Sequence, residues 1–367
     1  MNDRRPQSLF ALFFLGMLAL SPIADFVVGP VQTVATPPEP SLTELGVWDG
    51  RYAGKFVKYV VESSPATVGI RAVRNEVDHL LGTLETDRVD FGVGGTLFAP
   101  SANIRAFDRA PAVLRRVKEE ADRLGVRILV APGPDKWRLY PEWFANAAPR
   151  SEARHSFYQD LERVLVYAGF EVVDVEELFA ARRAAAPGQP LFTPRDTHWD
   201  LSARSLLASH VVQRIGELGW WPEGATTSLQ LSPPNMSSEP ADLVKVLGVT
   251  GEMPLARAME QTFGTVGVFR PSWEVLQPKA EECPWVLCGD SFSVGLQGLL
   301  AAAAQRPLDT SASLGGSLTL DQLAKTFDRI ESGEIHARIL VWVFVERLVV
   351  QGWETSSVPD RFRPRGE

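Results

Sequence analysis

Helical patterns and buried-strand patterns alternate along most of this 367-residue chain. Residues 108–125 place apolar side chains at helical spacing and end in a glycine, a common helix terminator. The same pattern recurs over residues 155–169, and a third helix is predicted over residues 198–219. Continuous apolar runs between the helices predict buried strands, namely VRILVAP, FEVVDV, WVLCGDS and ARILVWVFVERLVV. This alternation predicts an α/β fold with a mostly parallel central sheet covered on both faces.

The segments outside this alternation divide the chain into further parts. We expect an amino-terminal signal anchor over residues 1–30, a proline-rich tether over residues 31–47, a folded domain over residues 48–355 and a carboxyl-terminal tail over residues 356–367. Within the domain, residues 221–281 are rich in proline and serine and show no periodicity. An irregular insertion is therefore expected there.

Two more elements are predicted at the start of the folded domain. Residues 48–61 have a helical pattern. Residues 89–100 place glycines between apolar residues, as in a short hairpin. Both elements precede the alternating helices and strands.

The amino terminus carries a membrane signal. Two arginines precede an apolar run over residues 9–20. If the run is extended to Val28, across an interruption at Asp25, it is near the ~20 residues that a bilayer requires. Pro22 makes a poor cleavage site, so an uncleaved anchor is favoured over a cleaved signal peptide. Because basic residues precede the apolar run, the body is expected in the periplasm, anchored to the inner membrane.

Charge and cysteine content exclude several classes of protein. The chain has 37 Lys+Arg against 45 Asp+Glu, a net charge of -8, which argues against electrostatic binding of nucleic acid. Cys283 and Cys288 would lie about 16 Å apart along an extended strand, beyond the reach of a disulfide, so both are expected as free thiols and Cys288 as a core residue. No metal-binding spacing is present, and neither a metal nor a cofactor is expected.

The triplet Gly289-Asp290-Ser291 follows the apolar strand WVLCG and precedes a helix-like run. A turn that also caps the helix is the simpler explanation. Asp290 either caps the helix or orients the serine turn, and capping is favoured. The alternative is that Ser291 lies at the carboxyl end of a parallel strand, where open α/β sheets hold their ligands. This second explanation requires a base elsewhere in the chain.

Asp196 and His198 supply that base. The two residues are separated by one position, so in an extended loop both side chains leave on the same side and the carboxylate can accept from imidazole Nδ1–H. The other ring nitrogen then faces a nucleophile, which predicts a triad of Ser291, His198 and Asp196. The remaining histidines lack an acid at useful spacing and are expected to be structural or solvated; they are His79, His155, His210 and His336.

These motifs resemble a known family. The Asp-x-His motif of residues 196–199, followed later in the chain by the Gly-Asp-Ser motif of residues 289–293, resembles the SGNH-hydrolase-like domain of the alginate O-acetyltransferases of the AlgJ and AlgX type. Segments 130–144, 240–249 and 346–348 are also similar to that family.

The resemblance extends from about residue 89 to residue 350 and has one clear departure. The family pattern Gly-Lys-Asp-Gly-Trp-Leu-Phe corresponds to residues 92–98, which keep the glycine and the Leu-Phe but lack the lysine, aspartate and tryptophan.

The resemblance implies a fold and an activity. The fold would be an SGNH-hydrolase-like three-layer sandwich. The activity would be that of a cell-envelope O-acetyltransferase, which passes an acetyl group through an acetyl-serine to hydroxyls of an alginate-like exopolysaccharide. A multi-pass membrane acyltransferase would supply the acetyl group.

In this scheme Ser291 attacks the acetyl donor while the histidine takes its proton and the aspartate stabilises the imidazolium. The Ser291 backbone N–H, expected at a helix start, is the first candidate donor to the oxyanion. Lys136, Arg195 and Arg347 are candidates for a second donor or for substrate binding, each weighed against a structural ion pair. Trp199 either stacks on a sugar or packs under the histidine, and packing is favoured.

Two alternatives to the transferase remain open from sequence. A carbohydrate esterase would use the same triad with water as the acceptor. A non-catalytic polysaccharide-binding assembly factor would need no triad, and the presence of all three residues argues against it.

Overall fold

The described residues of the computed structural model belong to one compact unit, which comprises residues 87–243 and 262–367. The predicted anchor, tether and helix over residues 48–61 lie outside the described residues. The structure describes residues 90–91, 97–98, 110–143, 152–193, 196–222, 235–240, 267–272, 283–312, 319–347 and 358–364.

The described part of the chain contains strands and helices in alternation. The strands are β1 (Asp90–Phe91), β2 (Leu97–Phe98), β3 (Arg127–Gly133), β4 (Glu171–Val172), β5 (Asn235–Pro240), β6 (Gly267–Ser272), β7 (Trp285–Gly289), β8 (Leu308–Ala312) and β9 (Ile339–Val345). The α-helices are α1 (Ala110–Leu124), α2 (Lys136–Leu139), α3 (Glu152–Tyr167), α4 (Val175–Ala185), α5 (Leu201–Glu217), α6 (Leu296–Ala304) and α7 (Thr319–Glu331). Short 3₁₀ helices occur at Pro141–Trp143 and Asp360–Phe362.

A five-stranded sheet lies at the centre, in the order β4-β3-β9-β7-β8. Every neighbouring pair in this sheet is parallel. The last strand in sequence, β9, therefore lies between β3 and β7, and all of its residues are buried. Because the strands are parallel, the segments that follow β3, β7 and β9 leave from the same edge of the sheet.

Successive side chains of a strand point to opposite faces, and here each face is covered by helices. In β9, Leu340, Trp342 and Phe344 pack into the core that includes α1, α3 and α7. Val341 and Val343 of the same strand pack into the core that includes α4, α5 and α6. The predicted α/β fold, with a parallel sheet covered on both faces, is confirmed as a three-layer sandwich.

The helix boundaries follow the predicted signals. α1 ends before Gly125 and α3 ends two residues before Gly169, and both glycines adopt the left-handed conformation, with φ of 67° and 89°. α5 begins after Asp200, whose side chain accepts a hydrogen bond from the Ala203 N–H at 2.9 Å. Asp200 is therefore the N-cap of this helix.

Other sequence expectations have mixed outcomes. The hairpin is confirmed, because β1 and β2 pair in antiparallel fashion. The predicted irregular insertion contains the antiparallel pair β5 and β6, which the sequence analysis missed. In the predicted tail, Val358 and Phe362 are buried in the core that includes α1 and α7.

Both cysteines, Cys283 and Cys288, are buried and are not joined in a disulfide. Cys288 lies in the core as predicted, and burial raises its pKa to about 12. Among the residues that the structure describes, no helix is long and apolar enough to cross a bilayer.

Gly289 is required by the close approach of β7 and β9. A Cβ atom at this position would lie 1.9 Å from the carbonyl oxygen of Val343 in the neighbouring strand and 3.0 Å from the Ser293 Oγ. Because the first contact is with backbone, no side-chain movement can relieve it. The glycine of the Gly-Asp-Ser triplet is thus fixed by the packing of the sheet.

We expect Gly289→Ala to lower the free energy of unfolding by about 1–3 kcal/mol, the usual effect of overpacking a close contact. Urea unfolding followed by circular dichroism measures this change. Gly188→Ala is the matched control, because a Cβ at Gly188 meets no atom within 4 Å. Equal stability of the two variants would contradict the steric argument.

Candidate active site

A tight loop between α4 and α5 carries the acid and the base. Phe192 and Trp199 form an isolated antiparallel bridge that brings the two ends of the loop together. The Asp200 N–H donates to the Leu191 carbonyl at 2.9 Å and closes the loop one step further out. Asp196 and His198 lie between these ends, so backbone contacts help to hold them in place.

The structure brings Asp196, His198 and Ser291 into one hydrogen-bonded row. His198 Nδ1 lies 2.6 Å from Asp196 Oδ1, and His198 Nε2 lies 3.0 Å from Ser291 Oγ. The same carboxylate oxygen accepts the backbone N–H of His198 at 2.9 Å. With Nδ1–H donating to the carboxylate, Nε2 carries a lone pair and can accept the Ser291 hydroxyl proton.

Burial decreases along this row from the acid to the nucleophile. Asp196 is fully buried, His198 is 8% exposed, and Ser291 is partly exposed. The imidazole stacks on the ring of Phe292, with centroids 4.7 Å apart. A substrate can therefore approach the Ser291 hydroxyl while the acid and most of the base stay shielded from water.

The turn that holds Ser291 differs from expectation. α6 begins at Leu296, after a run of turns over residues 291–295, and its N-cap is Gly295 in the left-handed conformation. The predicted position of Ser291 at the start of a helix is thus wrong. Among the described residues, no backbone carbonyl outside the helices and strands accepts the Ser291 backbone N–H, which is the candidate donor to an oxyanion.

Asp290 orients this turn, and the prediction that it caps the following helix is wrong. Its Oδ1 accepts the Phe292 N–H at 2.7 Å and its Oδ2 accepts the Val345 N–H at 2.8 Å. The side chain therefore ties the nucleophile turn to the end of β9. Complete burial raises the pKa of Asp290, while the two N–H groups and the Arg347 charge act in the opposite direction.

Lys136, a candidate for oxyanion or substrate binding, donates to the loop that carries the acid and the base. The side chain is buried, and Nζ donates to the backbone carbonyls of Asp196 at 2.9 Å and Thr193 at 3.2 Å. Its ammonium group therefore binds the loop that carries the acid and the base.

The other basic candidates differ in what the structure describes. Arg347 donates to Asp135 Oδ1 at 2.5 Å, and its guanidinium lies 5.0 Å from the centre of the Phe292 ring. Arg347 thus forms the structural ion pair that was the alternative to a substrate role. Its guanidinium lies beside Phe292, the residue that follows the nucleophile. Arg195 lies outside the described residues.

Trp199 packs beneath the site. It is 1% exposed and makes edge contacts with Phe179 and Phe292. Its ring lies over the end of β3, where a Cβ on Gly133 would come within 2.3 Å. The favoured packing role agrees with this burial, whereas stacking on a sugar does not.

Three residues near the site were not identified from sequence as contributors to it. Phe292 contacts the imidazole, Arg138 donates to Glu346 Oε1 at 2.5 Å, and Glu346 is fully buried. Burial and the neighbouring Asp135 charge raise the pKa of Glu346. The sequence marks Glu346 only as the first residue of the family-like segment 346–348, which directly follows an apolar strand. Within the described ranges, no group of three or more His, Cys, Asp or Glu side chains could hold a metal ion.

A Ser-His-Asp row at the carboxyl edge of a parallel sheet is the arrangement found in serine acyl-transfer sites. Residues 98–346 match the family model described as the SGNH hydrolase-like domain of the acetyltransferase AlgX. The chain belongs to this family, which confirms the resemblance found in the sequence.

Curated relatives are named probable alginate O-acetylase AlgJ. The protein from Azotobacter vinelandii is 24% identical over 259 residues, which cover 67% of this chain and 64% of that protein. The protein from Pseudomonas aeruginosa is 33% identical over 119 residues, 32% of this chain and 28% of that protein. The chain thus matches less than two thirds of the length of either relative.

Solved structures show the same fold. The O-acetyltransferase domain of Pseudomonas putida AlgJ superposes with a TM-score of 0.61 at 17% identity, covering 75% of this chain and 96% of that one. Pseudomonas aeruginosa AlgX superposes with a TM-score of 0.50 at 17% identity, covering 72% and 66%.

We expect Asp290→Asn to lower the free energy of unfolding by about 1–3 kcal/mol, because an amide cannot accept both the Phe292 and the Val345 N–H groups. Thermal and urea unfolding measure the change. The control is Asp174→Asn, since Asp174 caps α4 by accepting one N–H, from Glu177, and asparagine caps equally well. An Asp290→Asn variant as stable as this control would refute the two-acceptor role.

Proposed function

We propose that this protein is a cell-envelope O-acetyltransferase that moves an acetyl group, through an acetyl-serine on Ser291, to hydroxyls of an alginate-like exopolysaccharide. The observation that carries the proposal is the 3.0 Å contact between His198 Nε2 and Ser291 Oγ, in a row completed by Asp196. The names of the relatives, probable alginate O-acetylase, support the choice of acetyl group and polymer.

In the first half-reaction, the acetyl group moves from its donor to the enzyme. The Ser291 oxygen attacks the acetyl carbonyl carbon while its proton passes to His198 Nε2. Asp196 accepts the Nδ1–H and stabilises the imidazolium that forms. The carbonyl oxygen becomes an oxyanion that the Ser291 backbone N–H can bind. Collapse of this intermediate breaks the bond to the donor, which leaves with the proton held by His198.

In the second half-reaction, a sugar hydroxyl takes the place of the donor. His198 Nε2 accepts the proton of that hydroxyl as its oxygen attacks the acetyl carbon of acetyl-Ser291. The second tetrahedral intermediate collapses with cleavage of the bond to Ser291 Oγ, which recovers a proton from His198.

Location and partners form part of the same proposal. Residues 1–30 would anchor the chain to the inner membrane, with the domain in the periplasm and the acetyl donor supplied by a multi-pass membrane acyltransferase. The basic residues before the apolar run support this orientation. Protease treatment of spheroplasts tests it, because a periplasmic domain is digested while cytoplasmic markers survive.

We expect the full chain, incubated with a chromogenic acetyl ester, to carry one acetyl group on Ser291, detected by peptide mass spectrometry. Added polysaccharide should then become acetylated. Ser291→Ala should lose both signals, with a fall in turnover of about 10³-fold or more. Ser332→Ala, at an exposed serine, is the matched control and should keep both.

The outcomes separate the possible functions. Acetyl groups on the polysaccharide support the transferase. Release of acetate to water alone indicates an esterase. Polymer binding without acetyl-Ser291 or turnover indicates a non-catalytic binding protein, and activity that persists in Ser291→Ala rules out the proposed nucleophile.

A further inference from the structure

The segment that follows β3 contacts both the loop that carries the acid and the base and the end of β9, which in turn binds the nucleophile turn. This segment comprises Asp135 and the short helix α2 and is called the β3 brace below. One end of it contacts the loop that carries Asp196 and His198. The other end contacts Glu346 and Arg347, directly after β9. The two halves of the triad are 93 residues apart in sequence, so their spacing depends on contacts of this kind.

Lys136 forms the contact with the acid loop. A buried ammonium group is costly unless its N–H donors are bonded, and here the acceptors include the carbonyls of Thr193 and Asp196. These two carbonyls lie on either side of the turn that closes with the Asp196 N–H donating to Thr193. Lys136 therefore holds both sides of this turn, and with it the backbone of the residue that orients His198.

Glu346 forms the contact with the end of β9. Its Oε1 accepts the Asp135 N–H at 2.8 Å and Arg138 Nε at 2.5 Å. The pair between Arg138 and Glu346 is buried, with each side chain 3% exposed. Removal of one partner of such a pair leaves a buried group uncompensated, so the contact resists displacement.

The final link runs from β9 to the nucleophile. Val345, the neighbour of Glu346, donates its N–H to Asp290 Oδ2 at 2.8 Å. Asp290 in turn accepts the N–H of Phe292, on the far side of Ser291. Hydrogen bonds and short stretches of backbone thus connect the nucleophile turn through the end of β9 and the β3 brace to the acid loop.

We propose that Lys136 and Glu346 are positioning residues that hold the Asp196 loop and the Ser291 turn in register through the β3 brace. The proposal rests on the proposed function of Ser291 as a nucleophile. Neither residue touches the reacting atoms, and both act by fixing the distance between His198 Nε2 and Ser291 Oγ. Displacement of reacting groups by about 1 Å lowers rates on the order of 100-fold.

The test measures the reactivity of Ser291 in the full chain with a fluorophosphonate probe. Ser291 Oγ bonds to phosphorus, fluoride leaves, and His198 takes the serine proton. Lys136→Met and Glu346→Gln should each label Ser291 about 10-fold to 100-fold more slowly than the unaltered chain. Lys118→Met, which removes a surface lysine paired with Asp122, is the matched control and should label at the normal rate.

The double variant distinguishes a shared pathway from two separate defects. If both residues act through the β3 brace, Lys136→Met with Glu346→Gln should be slowed by less than the product of the two single effects. A double variant slowed by the full product of the two single effects would overturn the shared role of the β3 brace. Lys136→Gln, which keeps one N–H donor, should lie between Lys136→Met and the unaltered chain, and it provides the single-variant comparison if Lys136→Met does not fold.

A second readout does not depend on the proposed function. The low-field proton resonance of His198 Nδ1–H, bonded to Asp196, should broaden or shift in Lys136→Met and Lys136→Gln and remain in Lys118→Met. An unchanged resonance together with unchanged labelling overturns the positioning role. Absence of labelling in the unaltered chain overturns the proposed nucleophile instead, and the resonance then still decides the role of Lys136.

Discussion

The hydrogen bond between His198 Nε2 and Ser291 Oγ is the contact on which the chemistry of this domain depends. It joins two loops 93 residues apart and is 3.0 Å long. Neither loop is held by its own sequence alone. The serine turn depends on the close approach of Gly289 to Val343 in β9, and the acid loop depends on its bridge between Phe192 and Trp199. The packing of the parallel sheet therefore sets the distance between the base and the nucleophile.

The central strand β9 has a larger role than its position near the end of the chain suggests. It pairs with both β3 and β7, so it fixes the relative positions of the segments that follow each of them. Val345, its last residue, donates a hydrogen bond to Asp290, and the next residue, Glu346, accepts one from Asp135. Apolar burial secures the strand, and charged or polar groups at its end determine where the loops lie.

Sequence patterns predicted the layers of the fold and the three members of the triad, because periodicity and local motifs are properties of neighbouring residues. α7 could have been predicted as well, since Leu320, Leu323 and Phe327 recur at helical spacing. The link from Asp290 to β9 could not, because it is made to Val345, a residue 55 positions away. The same holds for Lys136, whose acceptors are backbone carbonyls that have no side-chain signature.

Asp196 and His198 occupy one short loop, and Asp196 Oδ1 binds both the imidazole and the backbone N–H of His198. The contacts between the acid and the base therefore do not involve the serine. A fold that carries such a pair needs to align only one more side chain to complete the triad. The strand that bears the nucleophile can then come before or after the pair in the chain, which leaves circular rearrangement of the gene compatible with the same chemistry.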